Sequence, residues 1–311
     1  MIFPQKPLKP ILFILSFVAL LCACSDGVPM EKGRAMYYWN TTFRIDSVKE
    51  RFLGEHRIER LYVRYFDVVM TDGKPLPNAT ILFDSAVSCK QEIVPTVFIH
   101  NECMRERHEG LAEKLLGRLL QMNETHQIGK VNEIQIDCDW TQTTRQNFYA
   151  FLGELHAMTK EKGITLSATI RLHQLSQPVP PVDCGVLMVY NTGDATKIDV
   201  EKPILDINDV TPYLKHLKSY DLRMVSAYPI YKWDIVFRNG KFVDIMHEEG
   251  EVPMLETDTI VTREPALHDI LECKKAVGKS KPDCLNEIIL FDLNNYNINR
   301  YKPTDYEEIF D

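Results

Sequence analysis

The chain has 311 residues, of which 45% are hydrophobic and 26% are charged, and this composition is ordinary for a globular protein with a sizeable core. Its formal net charge is −8, and its lysines and arginines form no cluster of the kind that binds phosphates. The composition therefore argues against a nucleic-acid-binding protein.

The first segment has the pattern of a secretory signal. Lys6 and Lys9 precede an apolar run over residues 11–21, which is too short for a comfortable membrane span. An ordinary cleaved signal is one interpretation. The residues "LCAC", which end at Cys24, resemble the bacterial lipobox, where cleavage falls just before a cysteine that receives lipid. This resemblance implies a signal peptide over 1–23, a lipid on Cys24 and a tether over 24–33; Ser25 resembles the sorting pattern for the outer membrane.

Residues 34–311 form one predicted domain, in which strand and helix patterns alternate. Eight apolar runs predict strands, over residues 35–39, 60–68, 93–100, 133–139, 165–171, 185–190, 224–229 and 287–293. Helical spacing predicts five helices, over residues 46–56, 108–127, 143–162, 208–220 and 264–277. Eight strands with intervening helices over about 250 residues are typical of a (β/α)8 TIM barrel. A doubly wound open sheet is the alternative, although no glycine-rich phosphate loop follows the first strand.

The fourth and fifth strands direct polar side chains into the predicted barrel, because alternate residues face the lumen and the helices. On the fourth strand, Gln135, Asp137 and Asp139 share the face opposite to its apolar residues. On the fifth strand, Arg171 and His173 face inward. The same argument extends to other strands, and it places Arg64, Thr96, His100, Glu102, Asp292 and Asn294 toward the lumen. A barrel built only for stability has an aliphatic lumen, so this pattern predicts a functional cleft.

A structural interpretation of the fourth strand stays open, because Asp137 could simply neutralise Arg64 or Arg171 in a buried network. Asp139 lies nearer the carboxyl end of its strand, where barrel enzymes keep their chemistry, so we favour a functional role for it.

All three tryptophans fall at the ends of predicted strands: Trp39 at the first, Trp140 at the fourth and Trp233 at the seventh. Tyr190 and Tyr228 lie at the ends of the sixth and seventh strands. Flat apolar rings beside carboxylates and amides suit a carbohydrate ligand. The predicted substrate-binding residues are Trp39, Arg64, Trp140, Arg171, His173, Tyr190, Tyr228, Trp233, Asp292 and Asn294.

The "DCDW" at residues 137–140 resembles the Asp-x-Asp-x-Glu motif of the chitinase-like, family-18 glycoside hydrolases. In that family the glutamate is the general acid, and the preceding aspartate orients the substrate's acetamido group, which acts as the nucleophile. Asp137 and Asp139 match the two aspartates, but Thr141 stands where the glutamate should be. The family's mechanism therefore does not transfer intact.

A longer resemblance is to a family of bacterial lipoproteins of uncharacterised function that are predicted to be TIM barrels. The blocks that carry it are "YYWNTTF", "RLYVRYFDV", "IQIDCDWT", "LSATIRLHQ", "PPVDCGVLMVYNTGD" and "FRNGKF". It implies a hydrolase-like barrel and brings no substrate with it.

These patterns support two main functional hypotheses. The first is an envelope-anchored glycoside hydrolase, in which Asp139 beside Trp140 has a raised pKa and acts as the acid, while Asp137 stays ionised and orients it. A second carboxylate would come from Glu102, Asp67 or Asp292, although strand parity groups Asp67 with helix-facing residues. The second hypothesis is a non-catalytic barrel that binds a glycan or another envelope component.

A metal-dependent hydrolase using Asp137, Asp139 and His173 is a weaker possibility, because no metal-ligand spacing supports it. We therefore expect neither a metal nor another cofactor. Beyond the signal and Cys24, six cysteines remain, and Cys273 and Cys284 could form a disulfide in an oxidising envelope.

Overall fold

The protein is described by a computed structural model that covers residues 32–84, 89–246 and 252–311. The predicted signal peptide, Cys24 and most of the predicted tether lie outside these described residues. Among the helices of the described ranges, none combines the length and the apolar character that a membrane span requires.

Eight parallel strands close into a barrel. They are β1 (Gly33–Tyr38), β3 (Arg60–Thr71), β6 (Glu92–Ile99), β7 (Glu133–Asp137), β8 (Thr165–Arg171), β9 (Cys184–Met188), β10 (Met224–Pro229) and β14 (Glu287–Phe291). The barrel is closed because β1 pairs with both β3 and β14. The predicted TIM barrel is confirmed, and the open-sheet alternative is wrong.

In the described ranges, six α-helices pack around these strands. They are α1 (Ser47–Glu55), α2 (Leu111–Thr125), α3 (Arg145–Glu161), α4 (Ile207–Leu217), α5 (Leu267–Ser280) and α6 (Pro303–Phe310). The first five agree with the sequence patterns to within a few residues. The start of α1 shows why, since the Asp46 side chain accepts hydrogen bonds from the amides of Val48 and Lys49, both at 3.0 Å, as a helix N-cap does.

Two barrel strands depart from the regular strand-helix alternation. In the described part of the chain, β3 continues into an antiparallel hairpin with β4 (Lys74–Asn78), and β5 (Leu82–Phe83) pairs with β2 (Thr42–Phe43). The strand β8 is followed by a short 3₁₀ turn over Leu172–Ser176. No α-helix is present in the described residues of either connection.

A small antiparallel sheet follows β10. Its strands are β11 (Trp233–Arg238), β12 (Lys241–Met246) and β13 (Asp258–Arg263). A two-residue turn joins β11 to β12, with positive φ angles of 50° at Asn239 and 74° at Gly240, as such a hairpin loop requires.

The buried cysteines are not bridged. Cys273 and Cys284 are both fully buried, and both thiols are free. The disulfide that the sequence allowed is therefore not formed between them.

A buried ionic network closes the amino end of the barrel lumen. Arg60 contacts Glu133, and it also pairs with Glu287 at 2.9 Å and with Glu92 at 3.3 Å. The Ser167 hydroxyl donates a hydrogen bond to Glu133 at 2.6 Å. Burial raises the pKa of Glu287, and the Arg60 guanidinium opposes this shift. One arginine thus compensates the two largely buried carboxylates of Glu133 and Glu287.

We expect Arg60→Met to lower the free energy of unfolding by about 3–5 kcal/mol, because it leaves buried carboxylates without a partner. Urea unfolding followed by circular dichroism would measure this. The matched control is Arg44→Met, which breaks the exposed ion pair with Asp84 and should cost no more than about 1 kcal/mol.

The destabilisation caused by Arg60→Met should also depend on pH. A carboxyl whose folded pKa is raised, as at Glu287, destabilises the fold above that pKa and is relieved as the pH falls through it. The loss in free energy of unfolding caused by Arg60→Met should therefore shrink as the pH falls from about 7 to about 5. A loss in free energy of unfolding that grows on acidification would contradict this account of the network.

Candidate functional site

Two aspartates and one arginine form an ionic cluster at the carboxyl end of the barrel. The Nε of Arg171 donates to Asp139 Oδ1 at 2.5 Å, and a terminal guanidinium nitrogen donates to Asp137 Oδ1 at 3.2 Å. The Thr169 hydroxyl donates to the same Asp137 oxygen at 2.6 Å. These side chains meet because β7 and β8 are paired neighbours in parallel register, as strand parity predicted.

The two aspartates differ in burial. Asp137 is 4% exposed, whereas the side chain of Asp139 is 54% exposed. Burial raises the pKa of Asp137, the charge of Asp139 adds to the shift, and Arg171 and Thr169 oppose it. The sequence hypothesis assigned the raised pKa to Asp139 and the fixed charge to Asp137. The burial falls on Asp137 instead, because Asp139 lies beyond the end of its strand.

Trp140 does not line the cleft. It is 1% exposed, and its ring packs against Phe148 and Tyr149 of α3, with centroid distances of 6.3 and 5.3 Å. Its predicted role in stacking against a ligand is therefore wrong. Trp140 lies three residues past the end of β7, and its ring turns toward the helix layer.

Tyr228 and Asp292 also turn away from the lumen. Tyr228 is fully buried. The thiols of Cys273 and Cys284 lie close enough to act on the pKa of Tyr228, which places this side chain in the helix layer. Asp292 is 8% exposed and accepts a hydrogen bond from Asn297 at 2.5 Å. Burial raises the pKa of Asp292 to about 6, but the described contacts do not join it to Asp139.

A group of aromatic rings, here called the aromatic wall, lines one side of the barrel mouth. It consists of Trp39, Tyr190, Tyr231, Trp233 and Phe291. The Phe291 ring is central, with centroids 5.6 Å from Trp39, 5.5 Å from Tyr190 and 5.7 Å from Tyr231. Trp233 packs on Tyr231 at 5.7 Å. Trp39, Trp233 and Phe291 are only partly buried, so the wall presents apolar ring surface at the mouth.

Phe291 and Tyr231 are members of the aromatic wall that the sequence patterns did not predict. Phe291 could have been found by parity, since it lies two residues after Ile289 and four after Glu287 on the lumen face of β14. Tyr231 follows the end of β10 and carried no periodic signal.

A β-bulge brings Asp67 into the lumen. The pairing of β3 with β6 joins Arg64 to Thr96 and then Phe66 to Val97, so Tyr65 is an extra residue in the ladder. The bulge reverses the alternation of side chains. As a result Asp67 is next to Arg64, whose Nε donates to its carboxylate at 2.6 Å. The parity argument that grouped Asp67 with helix-facing residues is therefore wrong.

Glu102, His173 and Asn294 lie beyond the carboxyl ends of their strands. Glu102 is exposed on a 3₁₀ turn after β6, and His173 is exposed on the turn after β8. Desolvation lowers the pKa of His173, with Asp139 opposing and Arg171 reinforcing the shift. Asn294 accepts a hydrogen bond from the Tyr296 amide at 2.9 Å. The described contacts do not bring Glu102 to Asp139.

Thr141 lies in the segment between β7 and α3, where its hydroxyl is 2.9 Å from that of Thr143 and its amide donates to the Thr144 hydroxyl at 2.9 Å. It offers no ionisable group at the position of the family's acid. Among the described residues, no group of three or more His, Cys, Asp or Glu side chains could hold a metal ion.

The closed parallel barrel, with Asp137 and Asp139 at the carboxyl end of its fourth strand, is a TIM barrel. Several solved structures share this fold. The spore cortex-lytic enzyme SleL of Bacillus megaterium QM B1551 is 12% identical with a TM-score of 0.59, over 90% of this chain and 74% of that one. A chitinase of Chromobacterium violaceum ATCC 12472 is 10% identical with a TM-score of 0.57, over 89% and 98%.

The GH18 chitinase ChiB of Flavobacterium johnsoniae is 11% identical with a TM-score of 0.51, over 90% of this chain and 93% of that one. No family model matches the chain, and a search of curated proteins finds no match either. At these identities the similarity shows a glycoside-hydrolase-like fold, and the site has to be judged on its own residues.

We expect Trp140→Ala to lower the free energy of unfolding by about 3–5 kcal/mol, because it empties a buried site between β7 and α3. Trp39→Ala, at the partly exposed mouth, should cost less than about 2 kcal/mol. Urea unfolding of the two variants would measure the difference. Equal costs for both substitutions would contradict the placement of Trp140 in the helix layer.

Proposed function

We propose that the protein binds a carbohydrate in the cleft at the carboxyl end of the barrel. The observation that carries this proposal is the aromatic wall at the same mouth as the cluster of Asp137, Asp139 and Arg171. Sugar rings present apolar faces and hydroxyl groups, and this cleft combines partly exposed rings with carboxylate and guanidinium groups. Ligand sites in proteins commonly pair apolar surface with a few polar groups that fix orientation.

The structural comparisons support a choice of ligand. The similar structures include chitinases and a spore cortex-lytic enzyme, and the "DCDW" motif resembles that of enzymes that recognise an acetamido group. Chitin oligosaccharides are therefore the first ligands to test, followed by fragments of peptidoglycan.

The geometry favours binding over hydrolysis. Hydrolysis by two carboxylates needs a proton donor and a second carboxylate at about 5 Å or about 6.5–9.5 Å. Thr141 supplies no carboxyl group at the position of the family's acid. Arg171 Nε pairs with Asp139 Oδ1 at 2.5 Å, so this carboxylate is already held in an ion pair.

Glycoside hydrolysis is the second candidate function, and one observation favours it. Burial raises the pKa of Asp137, so a carboxyl group at the site holds its proton closer to neutral pH than an ordinary aspartate does. In this case Asp137 and Asp139 would both be catalytic, and Glu102 would be a candidate second carboxylate.

We also propose that the protein is anchored in the bacterial cell envelope, in the outer membrane, through a lipid on Cys24. The charged start, the short apolar run and the "LCAC" sequence support this proposal. A single amino-terminal attachment would leave the barrel free to engage an envelope or external glycan.

Isothermal titration of the full chain with chitin oligosaccharides, peptidoglycan fragments and a neutral glucan would test binding. We expect Trp39→Ala to weaken binding about tenfold or more, because it removes ring contact area. The control Tyr213→Ala alters a partly buried ring on the helix α4 and should leave the affinity unchanged. If no glycan binds to the wild type, the proposed function is wrong.

A parallel assay for released sugar separates the two candidate functions. Release that disappears in Asp139→Asn, with binding retained, would establish hydrolysis. Binding without release, in both the wild type and the variant, is the result that we expect.

Replacing Cys24 by alanine should remove incorporation of radiolabelled palmitate and shift the protein from the membrane fraction to the soluble fraction. Ser25→Asp should keep the lipid and redirect the protein from the outer to the inner membrane. Unchanged fractionation and no lipid label in the wild type would show that the anchor is absent.

A further inference from the structure

The bulge in β3 creates a contact chain that begins at Asp67 and ends at the aromatic wall. Asp67 is 6% exposed, and its Oδ1 accepts a hydrogen bond from Arg64 Nε at 2.6 Å. The other carboxylate oxygen contacts a terminal nitrogen of the same guanidinium. Two parallel N–H···O contacts fix the plane of a guanidinium more firmly than a single contact does.

The same guanidinium lies over the Trp39 ring, with its central carbon 5.6 Å from the ring centroid. Trp39 also packs against Tyr37 at 5.8 Å and Phe291 at 5.6 Å. These two neighbours are aromatic, whereas Arg64 brings a positive charge to the packing around Trp39. An arginine over an indole is an attractive contact, and it keeps a defined geometry only if the arginine is itself held.

We propose that Asp67 and Arg64 are positioning residues for Trp39, and that they hold its indole in the orientation that receives a sugar ring. This inference rests on the proposed function, since it assumes that Trp39 contacts the ligand. Asp67 acts through Arg64, because its carboxylate fixes the guanidinium that covers the indole. The bulge at Tyr65 is the structural device that makes the arrangement possible, since without it Asp67 would face the helices.

The chain contains three tryptophans, which allows a direct test by fluorine NMR of the full-length protein labelled with 5-fluorotryptophan. Single Trp→Phe variants assign the three resonances. In Asp67→Asn we expect the Trp39 resonance to shift and broaden, while those of Trp140 and Trp233 stay in place. The affinity for chitin trisaccharide should fall about 3- to 10-fold, on the scale of one cation–π contact and its geometry.

Two further variants keep the test decisive. Asp84→Asn breaks an exposed Arg–Asp pair with Arg44 and should change neither the Trp39 resonance nor the affinity. Asp67→Asn leaves a partly buried guanidinium without its partner, so the double variant Arg64→Met/Asp67→Asn removes both charges. It should fold and show the same displacement of the Trp39 resonance.

An unchanged Trp39 resonance in both the single and the double variant would overturn the proposal. A shifted resonance with unchanged affinity, in a wild type that binds the trisaccharide, would overturn the role of this positioning in binding. If the wild type bound no glycan, the resonance would still decide whether Asp67 and Arg64 position Trp39, and the failure would belong to the proposed function.

Discussion

A closed parallel barrel directs half of its strand side chains into one narrow lumen, and in this protein many of those side chains carry charge. Charges taken out of water are tolerated when they are paired and hydrogen-bonded. Arg60 meets this requirement at the amino end, where it contacts Glu133 and Glu287. Arg171 meets it at the carboxyl end, where it contacts Asp137 and Asp139. Between these clusters, Tyr37 donates a hydrogen bond to Gln135 at 2.8 Å.

Both ends of the lumen carry arginine–carboxylate ion pairs, but the two clusters affect different properties of the protein. The amino-terminal network is enclosed, so its carboxylates act on stability. The carboxyl-terminal cluster ends in Asp139, which is half-exposed beside an open mouth. The aromatic wall lies at the same mouth. This combination suits a ligand with apolar faces and hydroxyl groups, while Thr141 and the engagement of Asp139 by Arg171 favour binding over bond cleavage.

Strand parity predicted the β7 and β8 side chains well, because both strands are regular and have a clear apolar face. Parity failed on β3, where the extra residue at Tyr65 moves Asp67 to the other side of the sheet. Bulges of this kind carry no strong sequence signal. Trp140 and Tyr228 were misplaced for another reason, since they were assigned by their position at strand ends. Asp292 was placed inward by parity, yet its described contact is with Asn297 outside the lumen.

The amino-acid sequence by itself determined the eight strands, five of the helices and the polar lumen. It also determined that Asp137 and Asp139 lie on the same face of their strand. These features follow from local periodicity, which depends on a residue and its near neighbours in the chain. Only the tertiary structure decided which partners the charges have, which rings form the aromatic wall, and that Asp67 holds Arg64 against Trp39. Most of these contacts join residues from different strands and depend on barrel closure, whereas the contact of Asp67 with Arg64 within β3 depends on a single-residue bulge.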